Sequence, residues 1–271
     1  MSKLSVIKEL LSNPKEIVTL GYQSLIKKRH TIQYDKNLID KYGISQLPTI
    51  DLLDLLPGFH ETIDNYSYLT NTSLVTDILM IKALSRRFKD CAYLEIGCFR
   101  GESIGCIADV VKDCTALTLS EQEMRAFEFN EGYITAHAFY SKSKPNIKTY
   151  HENSQTFDYG KLNGKKFDLI FVDGDHTYEG VLIDTKNVFQ QLKDDNSIIV
   201  WHDYGYDTEN VRHDVLQGIM DSTPEEYRKN LYHVSNTMCA VFIRGNFKTT
   251  KLKYLDMPNK AFQVEVKAAK L

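Results

Sequence analysis

The chain has 271 residues, of which 42% are hydrophobic and 25% charged, and its formal net charge is −3 at neutral pH. This length and composition fit one large α/β domain, or one domain with an added helical segment. The small negative charge gives no electrostatic reason to expect nucleic acid as a partner. No apolar run reaches the roughly 18 residues that a membrane helix needs. The N-terminus, with Lys3, Lys8 and Glu9, lacks the long apolar core of a secretory signal.

The cysteines indicate a reducing compartment and not a disulfide framework or a zinc site. No two of them have Cys-x-x-Cys spacing, and most lie in segments that we expect to be buried. They are Cys91, Cys98, Cys106, Cys114 and Cys239. Small buried thiols of this kind are expected in the cytoplasm, which is the location that we predict.

Residues 1–70 differ in pattern from the rest of the chain and are predicted to form a helical N-terminal extension. Apolar residues recur there at roughly helical spacing, and Pro14 would divide two short helices. The recurring residues are Ile7, Leu10, Leu11, Ile17, Leu20 and Leu25. A turn-rich stretch with Pro48 and Pro57 follows. Because the apolar face must be buried, the extension should cover a cleft or form an oligomer contact.

Residues 71–246 are predicted to form one α/β domain. A helix is expected near 74–84, and further helical stretches such as 101–111 and 178–192 separate most of the strands that follow. The strands are expected at 92–96, 115–119, 146–150, 167–172 and 197–201. Strands of continuous apolar residues that alternate with helices are typical of a mostly parallel sheet covered on both faces.

The end of this domain is predicted to be an antiparallel hairpin. The apolar stretches 231–234 and 239–243 flank a short break at Ser235-Asn236-Thr237, so one strand would run against the others. Residues 247–271 are then expected to form a C-terminal tail.

Gly97 and Gly101 mark the turn between the strand at 92–96 and the helix that follows it. Gly97 lets the chain turn tightly and lets a ligand approach the backbone, and Gly101 lets the helix pack close to the strand. Their spacing is not the Gly-x-Gly-x-x-Gly of dinucleotide sites, and no Gly-Lys-Ser/Thr follows, which disfavours both NAD and a P-loop. Glu95 would be costly at the end of a buried strand unless it serves a ligand, such as the ammonium of a methionine-like group.

The segment Glu95-x-Gly97-x-x-x-Gly101 resembles the first signature of the class I S-adenosylmethionine-dependent methyltransferases, and residues 80–245 follow that family's order. The resemblance implies a Rossmann-like α/β fold with a seven-stranded, mostly parallel sheet, helices on both faces and an antiparallel last strand. It also implies S-adenosylmethionine as the cofactor, held by Glu95 and the turn of Gly97 and Gly101.

Two further cofactor contacts are implied by the same resemblance. The family usually has an acidic residue for the ribose hydroxyls at the end of its second strand, a position that here falls on a threonine. The ribose contact then falls to one of the neighbouring polar residues Thr118, Ser120, Glu121 or Gln122. Ser120 could equally be the N-cap of the next helix. Asn153 and Ser154 stand where the family contacts adenine, although such residues are also common in turns.

Polar clusters follow two strands of the predicted sheet. Asp173, Asp175 and His176 come after the strand at 167–172, and His202 and Asp203 come after the strand at 197–201. Ligands bind at the carboxyl edge of open parallel sheets, so these groups should face the substrate crevice. Mg²⁺ prefers one or two carboxylates with water and substrate oxygens, which fits Asp173 and Asp203. The imidazole of His176 is suited to accept a proton near neutral pH.

This pair of segments resembles a class I subgroup that includes sugar and natural-product O-methyltransferases, some of them metal-dependent. The resemblance makes Asp173, His176 and Asp203 the counterparts of the subgroup's metal ligands and base. His202 stands where metal-dependent relatives often have a second acid, so it joins Asp173 and Asp203 as a candidate ligand and leaves the use of a metal open. Alternatively, Asp175 and Thr177 cap a helix and His202 is a packed strand-end residue.

The sequence therefore predicts an S-adenosylmethionine-dependent O-methyltransferase that acts on a hydroxylated small molecule, with a sugar or glycan intermediate favoured by the resemblance alone. His176 would be the base, and Asp173 would contact the cofactor and orient the acceptor, directly or through Mg²⁺. The alternatives are a metal-independent methyltransferase acting at nitrogen, and a non-catalytic cofactor-binding or assembly subunit. Neither nucleic acid nor a membrane is expected as a partner, and residues 1–70 could make the protein a homo-oligomer.

Overall fold

The computed structural model describes residues 29–270, and these residues build a single sheet of nine short strands. The recurring apolar residues of the N-terminal extension, from Ile7 to Leu25, lie outside the described residues. The strands in chain order are β1 Thr49–Ile50, β2 Ala92–Ile96, β3 Asp113–Thr118, β4 Ile147–His151, β5 Leu169–Val172, β6 Ile198–Trp201, β7 Leu231–Val234, β8 Ala240–Phe242 and β9 Thr249–Thr250.

The strand order is β4-β3-β2-β5-β6-β8-β7-β1-β9. Neighbours from β4 to β6 pair in parallel, and β8 runs antiparallel to both β6 and β7, which confirms the predicted mostly parallel sheet and its closing hairpin. The sheet has nine strands and not the predicted seven. The additional strands, β1 and β9, have two residues each and come from the extension and the tail. Two residues are too few to show the alternation that identifies a strand in a sequence.

Eight α-helices are described within residues 29–270, and none of them is long and apolar enough to cross a membrane. Helix α1 is described over residues 29–42. The others are α2 Leu52–Leu55, α3 Val75–Ser85, α4 Glu102–Ile107, α5 Glu121–Ala126, α6 Glu131–Ala136, α7 Tyr178–Phe189 and α8 His213–Ser222. Short 3-10 helices cover Tyr159–Leu162 and Glu225–Asn230.

Two hydrophobic clusters, one on each face of the sheet, form the core. One cluster joins α2, α3 and α4 to the sheet, and the other joins α1, α7 and α8 to the opposite face. Strand β5 serves both, because successive side chains of a strand point to opposite faces. Its Phe171 lies in the first cluster, and its Ile170 and Val172 lie in the second. Burial on both faces explains why β5 is a continuous apolar run.

The described part of the N-terminal extension packs on the same core. Leu38 of α1 is fully buried in the second cluster, and β1 pairs in parallel with β7. At the C-terminal end of α1, Lys41 Nζ and Tyr42 Oη each donate to Asp221 Oδ1 of α8 at 2.6 Å. Residues 29–50 are thus attached to both the sheet and its helical layer.

The strand order brings five strand ends to one edge. The chain leaves β2 for β3 on one side and returns to β5 on the other, so the direction of winding changes between β2 and β5. The register aligns Ile96 with Val172 and Val172 with Trp201, so these strands end level with one another. Open α/β sheets bind ligands at such a switch point, outside the carboxyl ends of the strands.

A substitution of Asp221 can measure how much its contacts with α1 contribute to the stability of the fold. Burial by itself would raise the pKa of this carboxyl, but hydrogen bonds from Lys41, Tyr42, Gln217 and Tyr178 outweigh it and hold the pKa at about 2. A lowered pKa stabilises the fold above the unfolded pKa of about 4, and this stabilisation is lost as the pH falls through about 2. We expect Asp221→Asn to lower the free energy of unfolding by about 1–2 kcal/mol at pH 7 and by much less near pH 2.

Denaturant titrations at the two pH values measure this difference. The matched control is Glu121→Gln, which removes an exposed pair with Arg125 and should change the stability by less than about 0.5 kcal/mol. If the Asp221→Asn variant is as stable as wild type at pH 7, the hydrogen bonds to Asp221 do not contribute to holding the extension on the core.

Candidate active site

Gly97 lies at the point where the turn after β2 meets the turn after β5. Its φ is +88°, and a Cβ atom built on it would lie only 2.0 Å from the backbone oxygen of Asp173. Backbone hydrogen bonds fix this approach: Gly97 N donates to Leu117 O at 2.9 Å, and Asp173 N donates to Ile96 O at 2.7 Å. Only glycine satisfies both the left-handed conformation and the contact. The turn therefore brings β2, β3 and β5 together at one site.

A cavity of about 860 Å³ opens at this edge of the sheet. Most of the residues that the sequence singled out line it, together with aromatic side chains from α5, α6 and the loops around them. From the sequence-predicted set these are Gly97, Thr118, Asn153, Ser154, Asp173, His176, His202 and Asp203. The additional lining residues include Phe99, Phe127, Phe129, Tyr133, His137 and Met238. The structure thus brings the two polar clusters and the glycine turn into one cavity.

The groups after β5 and β6 form an acidic edge, which we define as Asp173, His176, His202 and Asp203. His176 Nδ1 lies 2.9 Å from Asp203 Oδ2, and its Nε2 lies 4.0 Å from Asp173 Oδ1. His202 Nδ1 lies 3.2 Å from Asp173 Oδ1 and 3.3 Å from Asp203 Oδ1. Each imidazole is therefore placed between the same two carboxylates.

His202 differs from His176 because it is buried and has a third acidic neighbour. It is 8% exposed, and its Nε2 lies 3.1 Å from Oδ2 of the fully buried Asp77 on α3. Burial by itself would lower the pKa of His202, but Asp173, Asp203 and Asp77 outweigh it and raise that pKa well above the usual value. The three carboxylates therefore favour the protonated form of the His202 imidazole. The sequence also allowed His202 to be a packed residue at the end of a strand. That alternative accounts for the burial of His202 but not for its three acidic neighbours.

His176 remains open to the cavity. Burial would lower its pKa, but the hydrogen bond with Asp203 and the charge of Asp173 raise it. Arg212 supports this part of the site from α8, since its Nη2 donates to the His176 carbonyl at 2.8 Å and its Nη1 lies 3.7 Å from Asp203 Oδ2. Hydrogen bonds from His176 and His202 hold the pKa of Asp203 far below the usual range, against the effect of burial. Asp203 is thus a carboxylate at any physiological pH.

One group in residues 29–270 has the geometry to hold a metal ion. Asp173, His176 and Asp203 each offer a ligand atom, and the three atoms lie within 4.8 Å of one another. The sequence placed His202 among the ligands and His176 outside them, and the structure brings both histidines close to Asp173 and Asp203. Nε2 of His202 lies 3.1 Å from Asp77 Oδ2, so Nδ1 is the nitrogen that faces Asp173 and Asp203, and the role of His202 as a ligand stays a prediction.

Two of the predicted cofactor residues lie behind the cavity and not on its lining. Glu95 is 1% exposed, and it accepts hydrogen bonds from Tyr93 Oη and Ser103 Oγ, both at 2.6 Å. Burial raises the pKa of Glu95 to about 8, although these two hydrogen bonds oppose the shift. Gly101 begins α4 with a φ of +77°, and a Cβ there would lie 2.4 Å from Ser141 Oγ. Gly101 allows close packing, but against Ser141 in the segment after α6 and not against the strand that the sequence indicated.

The residues proposed for the ribose are separated by the structure. Thr118 ends β3 and lines the cavity, whereas Ser120 and Gln122 do not. Ser120 is the N-cap of α5, where its Oγ accepts from Glu123 N at 3.2 Å, so the alternative interpretation of this residue is confirmed. Gln122 is exposed on the same helix.

Sequence reasoning missed Asp77 and His137. Asp77 lies on an otherwise apolar buried face of α3, and a lone carboxylate in such a helix is a signal that could have identified it. His137 follows α6 in a segment without a recognisable motif. By contrast, the proposed helix cap after β5 is present: Thr177 is the N-cap of α7, and its backbone N–H donates to Asp175 Oδ1 at 3.0 Å.

Comparisons with known proteins agree with this geometry. Residues 94–204, which include the glycine turn and the acidic edge, match the family model described as a methyltransferase domain. This part of the chain is similar to a methyltransferase domain, and the match leaves residues 1–93 and 205–271 uncovered. No match was found among curated proteins.

Several solved methyltransferase structures resemble the fold. CalS10, an amino pentose methyltransferase from Micromonospora echinaspora, is 15% identical, with 53% of this chain and 58% of that chain covered and a TM-score of 0.35. The Podospora anserina methyltransferase PaMTH1 is 23% identical, with 48% and 53% covered and a TM-score of 0.36. CalS11, a TDP-rhamnose 3′-O-methyltransferase, is 14% identical, with 63% and 80% covered and a TM-score of 0.41. The present chain spans 46–58% of the length of the first structures that it matches.

The close approach at Gly97 leads to a prediction for cofactor binding. Gly97→Ala would force the turn after β2 away from Asp173 O, so we expect binding of S-adenosylhomocysteine to weaken at least 10-fold, a loss of about 1.4 kcal/mol or more. Isothermal titration calorimetry measures the affinity of both proteins. The control is Gly164→Ala, since Gly164 has a φ of +76° and a Cβ built on it would meet nothing within 4 Å. If both variants bind the ligand like wild type, the glycine turn is not the cofactor seat.

Proposed function

We propose that this methyltransferase transfers the methyl group of S-adenosylmethionine to a hydroxyl oxygen of a small molecule, with a sugar or glycan intermediate as the favoured acceptor. The observation that carries the proposal is the placement of His176, an imidazole open to the cavity and hydrogen-bonded to Asp203, beside the glycine turn. The preference for a sugar rests on the resemblance of Asp173, His176 and Asp203 to the sugar O-methyltransferase subgroup.

The cofactor would occupy the part of the cavity near the ends of β2, β3 and β4. It supplies a methyl group that is already activated on a sulfonium. The chain must then hold donor and acceptor in line and remove the acceptor's proton. Gly97 allows the ligand to approach the backbone, with Glu95 behind the turn, and Asn153 and Ser154 line the side where adenine would bind.

His176 is the base in this proposal. Asp203 lies at hydrogen-bonding distance from Nδ1 and would keep the proton on that nitrogen, which leaves Nε2 free to accept the proton of an acceptor hydroxyl. Asp173, near Nε2, would orient the same hydroxyl. Asp173 and His176, which are three residues apart in the sequence, thus also lie close together in the cavity.

A divalent cation fits this site. Asp173 and Asp203 would hold Mg²⁺, with water and acceptor oxygens completing its coordination, while His176 stays outside this shell as the base. The ion would lower the pKa of the bound hydroxyl. His202 favours the second candidate function, methylation without a metal, because its positive charge already lies between the two carboxylates.

The proposal also includes a role for residues 1–70 and a cellular location. The loop at Asn71, Thr72 and Ser73, directly after the extension, lines the cavity, which favours a covering role for residues 1–70 over a remote one. The same extension could also form the contact between two copies of the chain in a homo-oligomer. Five buried cysteines without disulfide bonds are what a cytoplasmic protein would have.

Replacement of His176 tests the base. We expect His176→Ala to lower turnover by roughly 10²–10⁴-fold while leaving the affinity for S-adenosylhomocysteine nearly unchanged. Transfer of labelled methyl groups to a panel of nucleotide sugars and free sugars, followed by mass spectrometry, measures the activity. The control is His213→Ala, since His213 pairs with Asp35 outside the cavity. Full activity of His176→Ala would exclude the base role, and Asp175 would be the next candidate.

Removal of divalent ions tests the metal separately. If Mg²⁺ is required, EDTA should abolish transfer by the wild type, and added Mg²⁺ should restore it. Asp173→Asn and Asp203→Asn should then be inactive with or without the ion. If transfer persists in EDTA while His176→Ala is inactive, a metal is not required. The His202 imidazole would then be the favoured cation between the two carboxylates.

A further inference from the structure

The lining of the cavity has negative side chains and, within residues 29–270, no lysine or arginine. Its carboxylates are Asp173, Asp175 and Asp203. The side chains of Asp173 and Asp203 are each 21% exposed, so their charge is open to the cavity. His176 and His202 lie against the same two carboxylates, so a positive charge on either imidazole is already paired. A ligand with a negative group would therefore meet repulsion at this edge.

Two arginines lie close behind the lining, and both are paired with groups of the protein itself. Arg100 Nη2 donates to Thr72 Oγ1 at 2.7 Å, and its Nε lies 3.6 Å from Glu102 Oε2. Arg212 Nη2 donates to Asp214 Oδ2 at 3.0 Å. Arginine binds a phosphate through a fork of parallel N–H groups that face the ligand. Since neither arginine lines the cavity, neither guanidinium is placed to do so.

The helix N-terminus beside the acidic edge is also occupied. Helix N-termini bind phosphate groups through their free backbone N–H groups. At the start of α7, the backbone N–H of Thr177 donates to Asp175 Oδ1 at 3.0 Å, and the Thr177 hydroxyl accepts from Gly180 N at 3.1 Å. A carboxylate of the chain thus takes the place that a phosphate would need.

The other groups around the acidic edge are uncharged. Asn71 and Ser73 line the cavity from the loop before α3, and Met238 lines it from the turn between β7 and β8. Within residues 29–270, the side chains of Asn71 and Ser73 make no hydrogen bond, so both are available to a ligand. An amide, a hydroxyl and a thioether suit the hydroxyl groups and C–H faces of a neutral sugar.

We propose that the acceptor is a sugar without phosphate, methylated after it has been joined to its aglycone. This inference rests on the proposed function and narrows its acceptor to uncharged glycosides. The reaction that supplies the substrate would then be a glycosyl transfer. In that reaction the bond between the anomeric carbon and the diphosphate of a nucleotide sugar breaks, a glycosidic bond to a hydroxyl oxygen forms, and the nucleoside diphosphate and the hydroxyl proton leave.

The methyl transfer that follows needs no phosphate on the acceptor. The acceptor oxygen bonds to the methyl carbon as the carbon–sulfur bond breaks, the hydroxyl proton goes to His176 Nε2, and S-adenosylhomocysteine leaves. A divalent cation would not reverse the choice of acceptor. Its two positive charges would balance Asp173 and Asp203, and the charge of Asp175 would remain.

Isothermal titration calorimetry tests the exclusion of phosphate directly. Uridine diphosphate, thymidine diphosphate and inorganic diphosphate are titrated into the full-length protein saturated with S-adenosylhomocysteine, in EDTA and again in excess Mg²⁺. We expect dissociation constants above about 1 mM for all three. The matched controls are uridine and thymidine, which should bind no more weakly than their diphosphates. A dissociation constant below about 1 mM for any of the three diphosphates would overturn the inference.

Transfer of labelled methyl groups compares three forms of the same sugar, namely the nucleotide sugar, the sugar 1-phosphate and the methyl glycoside. The kcat/KM for the methyl glycoside should exceed that for both phosphorylated forms by at least about 10-fold, because only the glycoside avoids the carboxylates' repulsion. A preference for a phosphorylated form would overturn the inference and leave the proposed function standing. If S-adenosylhomocysteine itself does not bind, the proposed function fails and the inference fails with it.

Discussion

The imidazole of His202 lies between three carboxylates, with Asp77 Oδ2 at 3.1 Å from Nε2 and Asp173 and Asp203 at 3.2 and 3.3 Å from Nδ1. Two of these carboxylates end adjacent strands, and without a cation between them their repulsion would oppose the register of β5 and β6. Asp77, fully buried on α3, fixes which nitrogen faces the strands. A charge buried this deeply is tolerated only when paired, and His202 has three carboxylates as partners. The acidic edge is therefore one electrostatic unit.

The close packing of Gly97 against Asp173 connects this unit to the cofactor turn. Because the Gly97 Cα is in contact with the backbone that begins the acidic edge, the site for the methyl donor and the site for the acceptor share one wall. Reacting groups must be held within a few tenths of an ångström for efficient transfer. A rigid backbone contact between two buried parallel strands provides such a reference better than a loop would. The same contact explains why β2 and β5 must be neighbours for the cavity to form.

The parts of the structure that follow from local pattern were predictable, and the parts that depend on distant contacts were not. Strands β5 and β6 are continuous apolar runs, and the edge rule for parallel sheets was sufficient to bring Asp173, His176 and Asp203 together. The role of His202 was not accessible, because it depends on Asp77, 125 residues earlier in the chain. His137 reaches Thr118 only because the segment after α6 folds back onto the glycine turn. Strands β1 and β9 were missed because a two-residue strand has no period.

Three of the described residues with strained backbone lie at the cavity or directly beside it. Asn71, Ala138 and Asp203 are non-glycine residues with φ of +63°, +57° and +56°; Asn71 and Asp203 line the cavity, and Ala138 follows its lining residue His137. Each such conformation costs of order 1–3 kcal/mol and persists only if the surroundings enforce it. Both imidazoles hold Asp203 in place, and the Phe99 carbonyl does the same for Ala138. Aspartate adopts this conformation more readily than most residues, but alanine does not, so the strain at Ala138 becomes visible only after the turns that enforce it are in place.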